Sequence, residues 1–302
     1  MRFVLGAGDP EMVLIKGIVG STGHEYVRAL DEEGRRVTPR AAYRVTFPKP
    51  EAGDVWVECA PLEGGRPALD REGIVRVDHH AAGDPGFGVS PDRFLEASSV
   101  GQVVALVADR LVNDWESRPI QASDPDSKFF FDGEHWFVRA KSHLALRVRN
   151  KVVLAAASDH CPGAAYAGRC PGVQPRHLQE FRLAGRSAKG VEQAKRTLES
   201  APVLEVDGLS IADLRDQDVP YLSEACMQLG RAALYALPPG HRQNKQDTRV
   251  KVGIIGCGEG SVPGTAPAEW LLSAENPLGL EDRYGDPVRG YAGGYFPRGS
   301  DA

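Results

Sequence analysis

The sequence predicts an α/β protein built on a mostly parallel sheet that is flanked by helices. Two observations lead to this fold class. Short apolar runs, typical of buried strands, alternate with longer segments of helical periodicity through the first 160 residues. Polar residues follow these runs where each strand would end, and loops rich in glycine and proline lead into the next segment. Alternation of this kind is typical of parallel strands joined by helical crossovers.

The predicted elements of the first part are short strands and amphipathic helices. Pro10 stands near the start of the first helix, where proline is tolerated. Ser98 or Ser99 is a suitable cap for the second helix. The predicted strands cover residues 3–5, 53–61, 74–77 and 152–157. The predicted helices cover residues 12–19, 98–112 and 176–200.

Two further segments complete the predicted organisation. Within residues 1–200, the stretch 114–150 reads as an inserted β-hairpin, because Asp132-Gly133 is a strong turn signal between aromatic runs. Packing onto the main sheet is the favoured use of these aromatic residues, and stacking on a nucleobase is the alternative. Residues 201–302 are predicted to form a smaller α/β domain. Its elements are strands at 203–206 and 249–256, a helix at 221–237 and a short helix at 270–272.

Composition narrows the function classes. The 302 residues are 42% hydrophobic and 25% charged, with a net charge of −5, which gives no bulk attraction for duplex nucleic acid or an anionic membrane. No apolar run is long enough to span a bilayer or to form the core of a signal peptide, so a cytoplasmic location is expected. The five cysteines show no CxxC spacing and indicate neither a zinc site nor a disulfide framework. No feature indicates an oligomeric state.

Acids and imidazoles follow four predicted strands in the first 160 residues. The carboxyl ends of parallel strands meet at one edge of a sheet, so these side chains are expected to share one site. Carboxylates and imidazoles together suit Mn²⁺, and also Mg²⁺, Fe²⁺ or Zn²⁺. The four groups are Asp9 with Glu11, Glu58, Asp78-His79-His80, and Asp159 with His160.

One stretch resembles a known family. Val77-Asp78-His79-His80, followed by a Gly/Pro loop and residues 97–102 (ASSVGQ), is similar to the signature region of the DHH phosphoesterase superfamily. The resemblance covers roughly residues 1–200. It implies a DHH-type N-terminal domain, a C-terminal substrate-binding domain with the active site between the two, and a centre of one or two Mn²⁺ (or Mg²⁺) ions.

The resemblance also implies roles for individual residues. His80 would face the substrate phosphate as a catalytic residue, with Asp78 orienting the histidine pair. The family's first motif is altered, because Ala7 and Val13 stand where a histidine and a second aspartate are usual. The expected metal ligands are Asp9, Glu11, Glu58, His79 and Asp159. The candidate substrate-binding residues are His160 and Arg289, the latter because guanidinium pairs well with phosphate.

The predicted function is metal-dependent hydrolysis of a small phosphorylated substrate, such as a nucleotide, a short oligonucleotide or a phosphoanhydride. The altered first motif supports an alternative, in which a DHH-fold protein has lost hydrolysis and binds a phosphorylated ligand or a protein partner. A third function, that of an NAD-dependent dehydrogenase, depends only on glycine-rich turns such as residues 256–260, which lack the full dinucleotide-binding fingerprint.

Overall fold

The computed structural model divides into two compact units, each described below by itself. The first unit is Met1–His160 with Cys170–Val173, and the second is Cys161–Arg169 with Gln174–Ala302. Residues 161–169 and 174–200, which the sequence assigns to the first domain, therefore group with the second unit. The structure describes residues 1–38, 41–64, 66–68, 72–80, 83–141, 143–184, 187–239, 241, 248–256, 266–273, 278–287 and 290–297.

The first unit contains both strands and helices. Its strands are β1 (Arg2–Leu5), β2 (Glu25–Arg28), β3 (Val55–Val57), β4 (Leu62–Glu63), β5 (Arg66–Pro67), β6 (Val75–Val77), β7 (Ser117–Pro119), β8 (Phe129–Phe131), β9 (Trp136–Arg139) and β10 (Leu144–Arg147). Its α-helices are α1 (Pro10–Ser21), α2 (Phe94–Ala97), α3 (Ser99–Val107) and α4 (Asn150–His160).

A four-stranded parallel sheet forms the centre of this unit and confirms the predicted α/β class. Its strand order is β2-β1-β3-β6, and every pairing in it is parallel. Phe3 pairs with Val55, and Val55 pairs with Val75, so β1, β3 and β6 run in register. The carboxyl ends of these three strands therefore meet at one edge of the sheet, where the sequence places its acids and histidines.

The predicted strand at 152–157 is wrong, because these residues lie inside α4. A six-residue apolar run cannot be assigned to a strand or a buried helix from periodicity alone. Three of the six residues are alanine, the residue with the highest helix propensity, and all six are buried along the helix. As a result, Asp159 and His160 end a helix and do not follow a strand.

The inserted segment is larger than the predicted hairpin. β8 and β9 form that hairpin around Asp132-Gly133, and β10 and β7 extend it into an antiparallel sheet of order β7-β10-β9-β8. Phe130 and Phe137 stack with ring centroids 5.5 Å apart, and both are buried. Phe130 and Phe137 therefore pack against other residues of the inserted sheet, whereas the sequence favoured packing onto the main sheet.

The second unit combines helices with a mixed sheet of order β11-β12-β13-β14-β16-β15. The predicted helix at 221–237 is half wrong, because the helix Leu222–Leu229 is capped by Gly230, which adopts the left-handed conformation (φ +65°), and a strand follows. The predicted helix at 176–200 is two helices. The elements are α5 (Pro162–Tyr166), α6 (Pro175–Leu183), α7 (Ala188–Ser200), β11 (Val203–Val206), β12 (Leu209–Leu214), α8 (Leu222–Leu229), β13 (Ala232–Leu237), β14 (Lys251–Ile255), α9 (Ala266–Leu272), β15 (Glu281–Asp286) and β16 (Tyr291–Tyr295).

A buried ion pair joins two helices of the second unit. Arg182 of α6 donates from Nε to Glu224 of α8 at 2.8 Å, and their side chains are 7% and 0% exposed. The Tyr166 hydroxyl and the Gln228 amide also donate to Glu224. Burial alone would raise the pKa of Glu224, but the charge of Arg182 and these hydrogen bonds lower it. The pair therefore depends on both partners, because a lone buried charge would be costly.

Replacing Arg182 should destabilise the protein in a pH-dependent way. We expect Arg182→Leu to lower the free energy of unfolding by about 3–5 kcal/mol at pH 7, because Glu224 is left buried and charged. The Glu224 contribution is complete above its unfolded pKa of about 4.3 and is lost as the pH falls through the lower folded pKa, so the difference should shrink below about pH 4. Urea denaturation at pH 7 and at about pH 3 measures both values.

The matched control is Arg176→Leu, on the same helix. Arg176 pairs with Glu180, but the two side chains are 86% and 62% exposed. This substitution should cost less than about 1 kcal/mol. Equal losses in the two variants would contradict the assigned importance of the buried pair.

Candidate metal centre

Glu58 is fixed directly after β3 by an unusual backbone conformation. Its φ is +50°, in the left-handed region that residues other than glycine adopt at a cost of order 1 kcal/mol. Gly6, after β1, lies against it, since a Cβ at Gly6 would come within 2.6 Å of the Glu58 carbonyl oxygen. The Glu58 amide donates to the Val77 carbonyl at 2.9 Å. These contacts keep the Glu58 carboxylate at the shared edge of the sheet, where it is buried.

His79 is held directly after β6 by the loop and helix that follow. The Gly86 amide and the Gln102 side chain both donate to the Asp78 carbonyl, each at 3.0 Å. A Cβ at Gly86 would lie 2.7 Å from the His79 Cβ, so glycine is needed for this close approach. The His79 side chain is fully buried as a result.

Asp78 does not join the cluster of ligand atoms and instead orients its neighbours. Its carboxylate accepts hydrogen bonds from Tyr43 Oη at 2.9 Å, from the His79 amide at 2.8 Å and from His80 Nδ1 at 2.8 Å. Burial alone would raise the pKa of Asp78, but the hydrogen bonds from His80 and Tyr43 lower it. The side chain therefore stays ionised and fixes the His80 ring, which is 37% exposed.

Glu11 enters the site from the first turn of α1. Its Oε1 accepts a hydrogen bond at 2.8 Å from the Val100 amide, at the amino end of α3. That end of a helix favours negative charge. Its Oε2 is buried and receives no hydrogen bond from any described donor group. A buried carboxylate oxygen in this state is well suited to binding a cation.

Four side chains converge from separate parts of the first unit. His79 Nε2 lies 2.7 Å from Asp159 Oδ2 and 3.9 Å from Glu58 Oε1. One ligand atom from each of Glu11, Glu58, His79 and Asp159 falls within 4.8 Å of all the others. Ligands on opposite sides of a cation, with bonds of about 2.2 Å, lie about 4.4 Å apart. The cluster therefore has nearly the span that a bound ion requires.

The charges in this cluster oppose one another. Burial is the main cause of the raised pKa of Glu11, and the neighbouring Asp159 and Glu58 carboxylates raise it further. Burial, followed by the charge of Asp159, raises the pKa of Glu58 to about 8. Three acids this close cannot all ionise at low cost unless a positive charge lies between them. The oxygen and imidazole donors, the span and the electrostatics together fit a divalent metal ion.

The described residues contain one other group of possible ligands, and it overlaps the first. Glu58, His79 and His80 also lie within ligand distance of one another. His80 Nδ1 is directed at Asp78, so Nε2 is the atom that this histidine would present to an ion. The two groups share Glu58 and His79, so they belong to one site. The group of four supplies more ligand atoms and is therefore the more complete cation site.

Asp9 lies beside the cluster and has a different role. Its Oδ1 accepts a hydrogen bond from the Met12 amide at 2.7 Å and caps α1. Burial and the charge of Asp159 raise its pKa, while His80 lowers it, so Asp9 is electrostatically close to the centre. Val13, where the resemblance would place a second aspartate, is 68% exposed. The first turn of α1 thus directs only Glu11 into the cluster.

The two predicted substrate-binding residues differ in what the structure describes. His160 is fully buried, and its Nε2 lies 2.9 Å from the Val89 carbonyl. Its ring centroid lies 5.5 Å from that of His79. His160 therefore packs beside His79, one of the candidate metal-binding residues, and contacts the loop that follows β6. Arg289 lies outside the described residues.

Sequence reasoning missed Tyr43, which contacts Asp78 across 35 positions of sequence. No local pattern marks a residue whose role depends on such a distant partner. The role of Gln102, which donates to both the Asp78 and Ala97 carbonyls, was missed as well. It does fall within the stretch that carries the DHH resemblance, so that motif was the available signal.

The chain matches no protein-family model and no curated protein sequence. Functional inference therefore depends on the geometry of the centre and on the sequence motif. None of the described helices has the length and apolar character needed to cross a bilayer.

Removing one carboxylate should weaken cation binding without unfolding the protein. We expect Asp159→Asn to reduce Mn²⁺ affinity by more than about tenfold, because a charged ligand is lost while the side-chain size is kept. Isothermal titration calorimetry of the metal-free protein measures the change. Asp126→Asn, at an exposed acid, is the control. Equal affinities in the two variants would contradict the assignment.

Proposed function

We propose that the protein is a metal-dependent phosphoesterase or phosphohydrolase that acts on a small phosphorylated substrate, such as a nucleotide, a short oligonucleotide or a phosphoanhydride. The observation that carries this proposal is the convergence of Glu11, Glu58, His79 and Asp159 at the carboxyl edge of a parallel sheet. The similarity of residues 77–102 to the DHH phosphoesterase signature supports the same reaction class.

These four side chains would hold Mn²⁺ or Mg²⁺. A divalent cation in this position supplies Lewis-acid polarisation of a phosphoryl oxygen and lowers the pKa of a water molecule toward neutrality. The protein contributes ligand placement, since Val100 fixes Glu11 and the left-handed backbone fixes Glu58. Burial of the ligands also keeps competing water away from the cluster and strengthens its electrostatic interactions.

His80 is the side chain best placed to bind the substrate phosphate. Its ring is partly exposed, and its neighbour His79 belongs to the cluster. With Nδ1 directed at Asp78, the opposite edge of the ring, which carries Nε2, points away from Asp78. The Asp78 carboxylate stabilises the protonated ring, so that Nε2–H donates to a phosphoryl oxygen. Tyr43 keeps Asp78 in place through its hydroxyl group.

A small substrate is favoured over a polynucleotide on electrostatic grounds. The chain carries a net charge of −5, and a duplex would be repelled unless a local basic surface compensated for it. A compact phosphate ester or anhydride needs only local positive charge, which a divalent cation and His80 supply.

A second function is favoured by a specific observation. Ala7 and Val13 stand at two positions that usually carry metal ligands in the DHH family, and Asp9 caps α1. A protein with these changes could bind a phosphorylated ligand, or a protein partner, without hydrolysing it. Bound ligand that is recovered unchanged after incubation with Mn²⁺ would favour this alternative.

The decisive experiment is a hydrolysis assay with added Mn²⁺ or Mg²⁺ on nucleotides, short oligonucleotides, cyclic dinucleotides and pyrophosphate. We expect turnover of at least one class, and a loss of about 10²-fold in kcat/KM for His80→Ala, because a positioned proton donor is removed. Phosphate release and chromatography of the products measure turnover.

The control is His135→Ala, which removes a histidine of the inserted sheet outside the ligand cluster. It should retain full activity. An absence of turnover on every substrate, from folded protein that binds Mn²⁺, would contradict hydrolysis and leave the binding function.

A further inference from the structure

An arginine packs against the backbone beside the candidate metal centre. Gly8 lies between the end of β1 and Asp9. A Cβ added at Gly8 would come within 2.5 Å of Arg36 Nη1 and 2.6 Å of Arg36 Cζ. Gly8 does not have a positive φ, so its backbone conformation does not require glycine. The contact instead requires a residue without a Cβ, which would collide with the guanidinium. The chain therefore leaves space at Gly8 that the Arg36 guanidinium fills.

In the part of the chain that the structure describes, no acid neutralises the charge of Arg36. No ion pair joins Arg36 to any carboxylate among the described residues, and the residue is exposed. Its neighbour Arg35 behaves differently, since it pairs with Asp31 at 3.2 Å and with Glu33 at 2.7 Å. Two consecutive arginines thus have different uses: one closes a surface turn, and the other directs its charge toward the start of α1.

This position places Arg36 next to the centre. Gly8 lies two residues after Gly6, which packs against the Glu58 carbonyl, and three residues before Glu11. The guanidinium therefore borders the turn between β1 and α1, whose two ends contact Glu58 and carry Glu11, two of the four candidate ligands.

We infer that Arg36 is a specificity-determining residue that binds a second anionic group of the substrate. The inference rests on the proposed function, in which the first phosphoryl group lies at Glu11, Glu58, His79 and Asp159. A guanidinium donates two parallel hydrogen bonds to a phosphate or carboxylate. Contact with the Gly8 backbone limits the motion of the guanidinium and reduces the entropy lost on binding. The substrate class is thereby narrowed to molecules with at least two phosphoryl or other anionic groups.

The test compares two probes that differ by one phosphoryl group. Imidodiphosphate, which resists hydrolysis, and orthophosphate are titrated into the Mn²⁺-loaded protein by calorimetry. We expect the wild-type protein to prefer imidodiphosphate. Arg36→Ala should weaken imidodiphosphate binding by about 10- to 100-fold, as for the loss of charge-assisted hydrogen bonds, and leave orthophosphate binding nearly unchanged.

Two further variants make the test specific. Gly8→Ala should also weaken imidodiphosphate binding, because the added methyl displaces the flexible end of Arg36 without removing its charge. Arg35→Ala is the matched control and should bind both probes as the wild type does. Melting temperatures confirm that each variant is folded.

Several results would overturn the inference. These are unchanged imidodiphosphate binding in Arg36→Ala, an equal loss in Arg35→Ala, equal weakening of both probes, or the absence of a wild-type preference. The Mn²⁺ titration of the same samples separates the two proposals. Normal Mn²⁺ and orthophosphate binding without a preference for imidodiphosphate rejects the role of Arg36 alone. Mn²⁺ binding with neither phosphate probe bound counts against the proposed function as well.

Discussion

The contact between His79 and the acids that surround it is the constraint on which the candidate centre depends. Three carboxylates, from Glu11, Glu58 and Asp159, lie within ligand distance of one buried imidazole. Desolvation and mutual repulsion make this arrangement costly when the acids are ionised. Destabilising clusters of buried charges are typical of functional sites. A bound cation would attract all three carboxylates and so offset their mutual repulsion. The electrostatic cost of the metal-free cluster is therefore the strongest argument for its use.

The parallel sheet solves the problem of bringing these groups together. Glu11 and Asp159 are far apart in sequence, yet β1, β3 and β6 end at one edge, and α4 brings the last acid to it. Close backbone approach makes this geometry possible, through Gly6 against the end of β3 and Gly86 against His79. Side chains larger than hydrogen at these two positions would push the ligand-bearing segments apart. These two glycines thus help to set the geometry of the site.

The sequence predicts the centre better than it predicts the elements around it. The rule that ligands gather beyond strand ends correctly brought Glu58 and His79 together, because both directly follow short parallel strands. Asp159 joins them for a different reason, because the apolar residues 152–157 before it form a helix and not a strand. Three consecutive alanines leave this segment without a clear helical pattern of apolar and polar residues. Tyr43 could not be found, because hydrogen bonding to Asp78 depends on tertiary structure alone. The prediction of a helix through residues 231–237 is wrong because Gly230, in the left-handed conformation, ends the helix before them.

The start of α1 links the number of metal ions to the use of protein cations. Asp9 caps the helix and Val13 faces solvent, so this turn supplies a single ligand, Glu11. A centre that holds fewer ions has less positive charge to set against a phosphorylated substrate. Under the proposed function, the balance comes from side chains, and His80 and Arg36 are two described basic residues that lie near this turn. We therefore propose that the single ligand from this turn shifts part of phosphate recognition from metal to protein, and that the space at Gly8 positions Arg36 for that role.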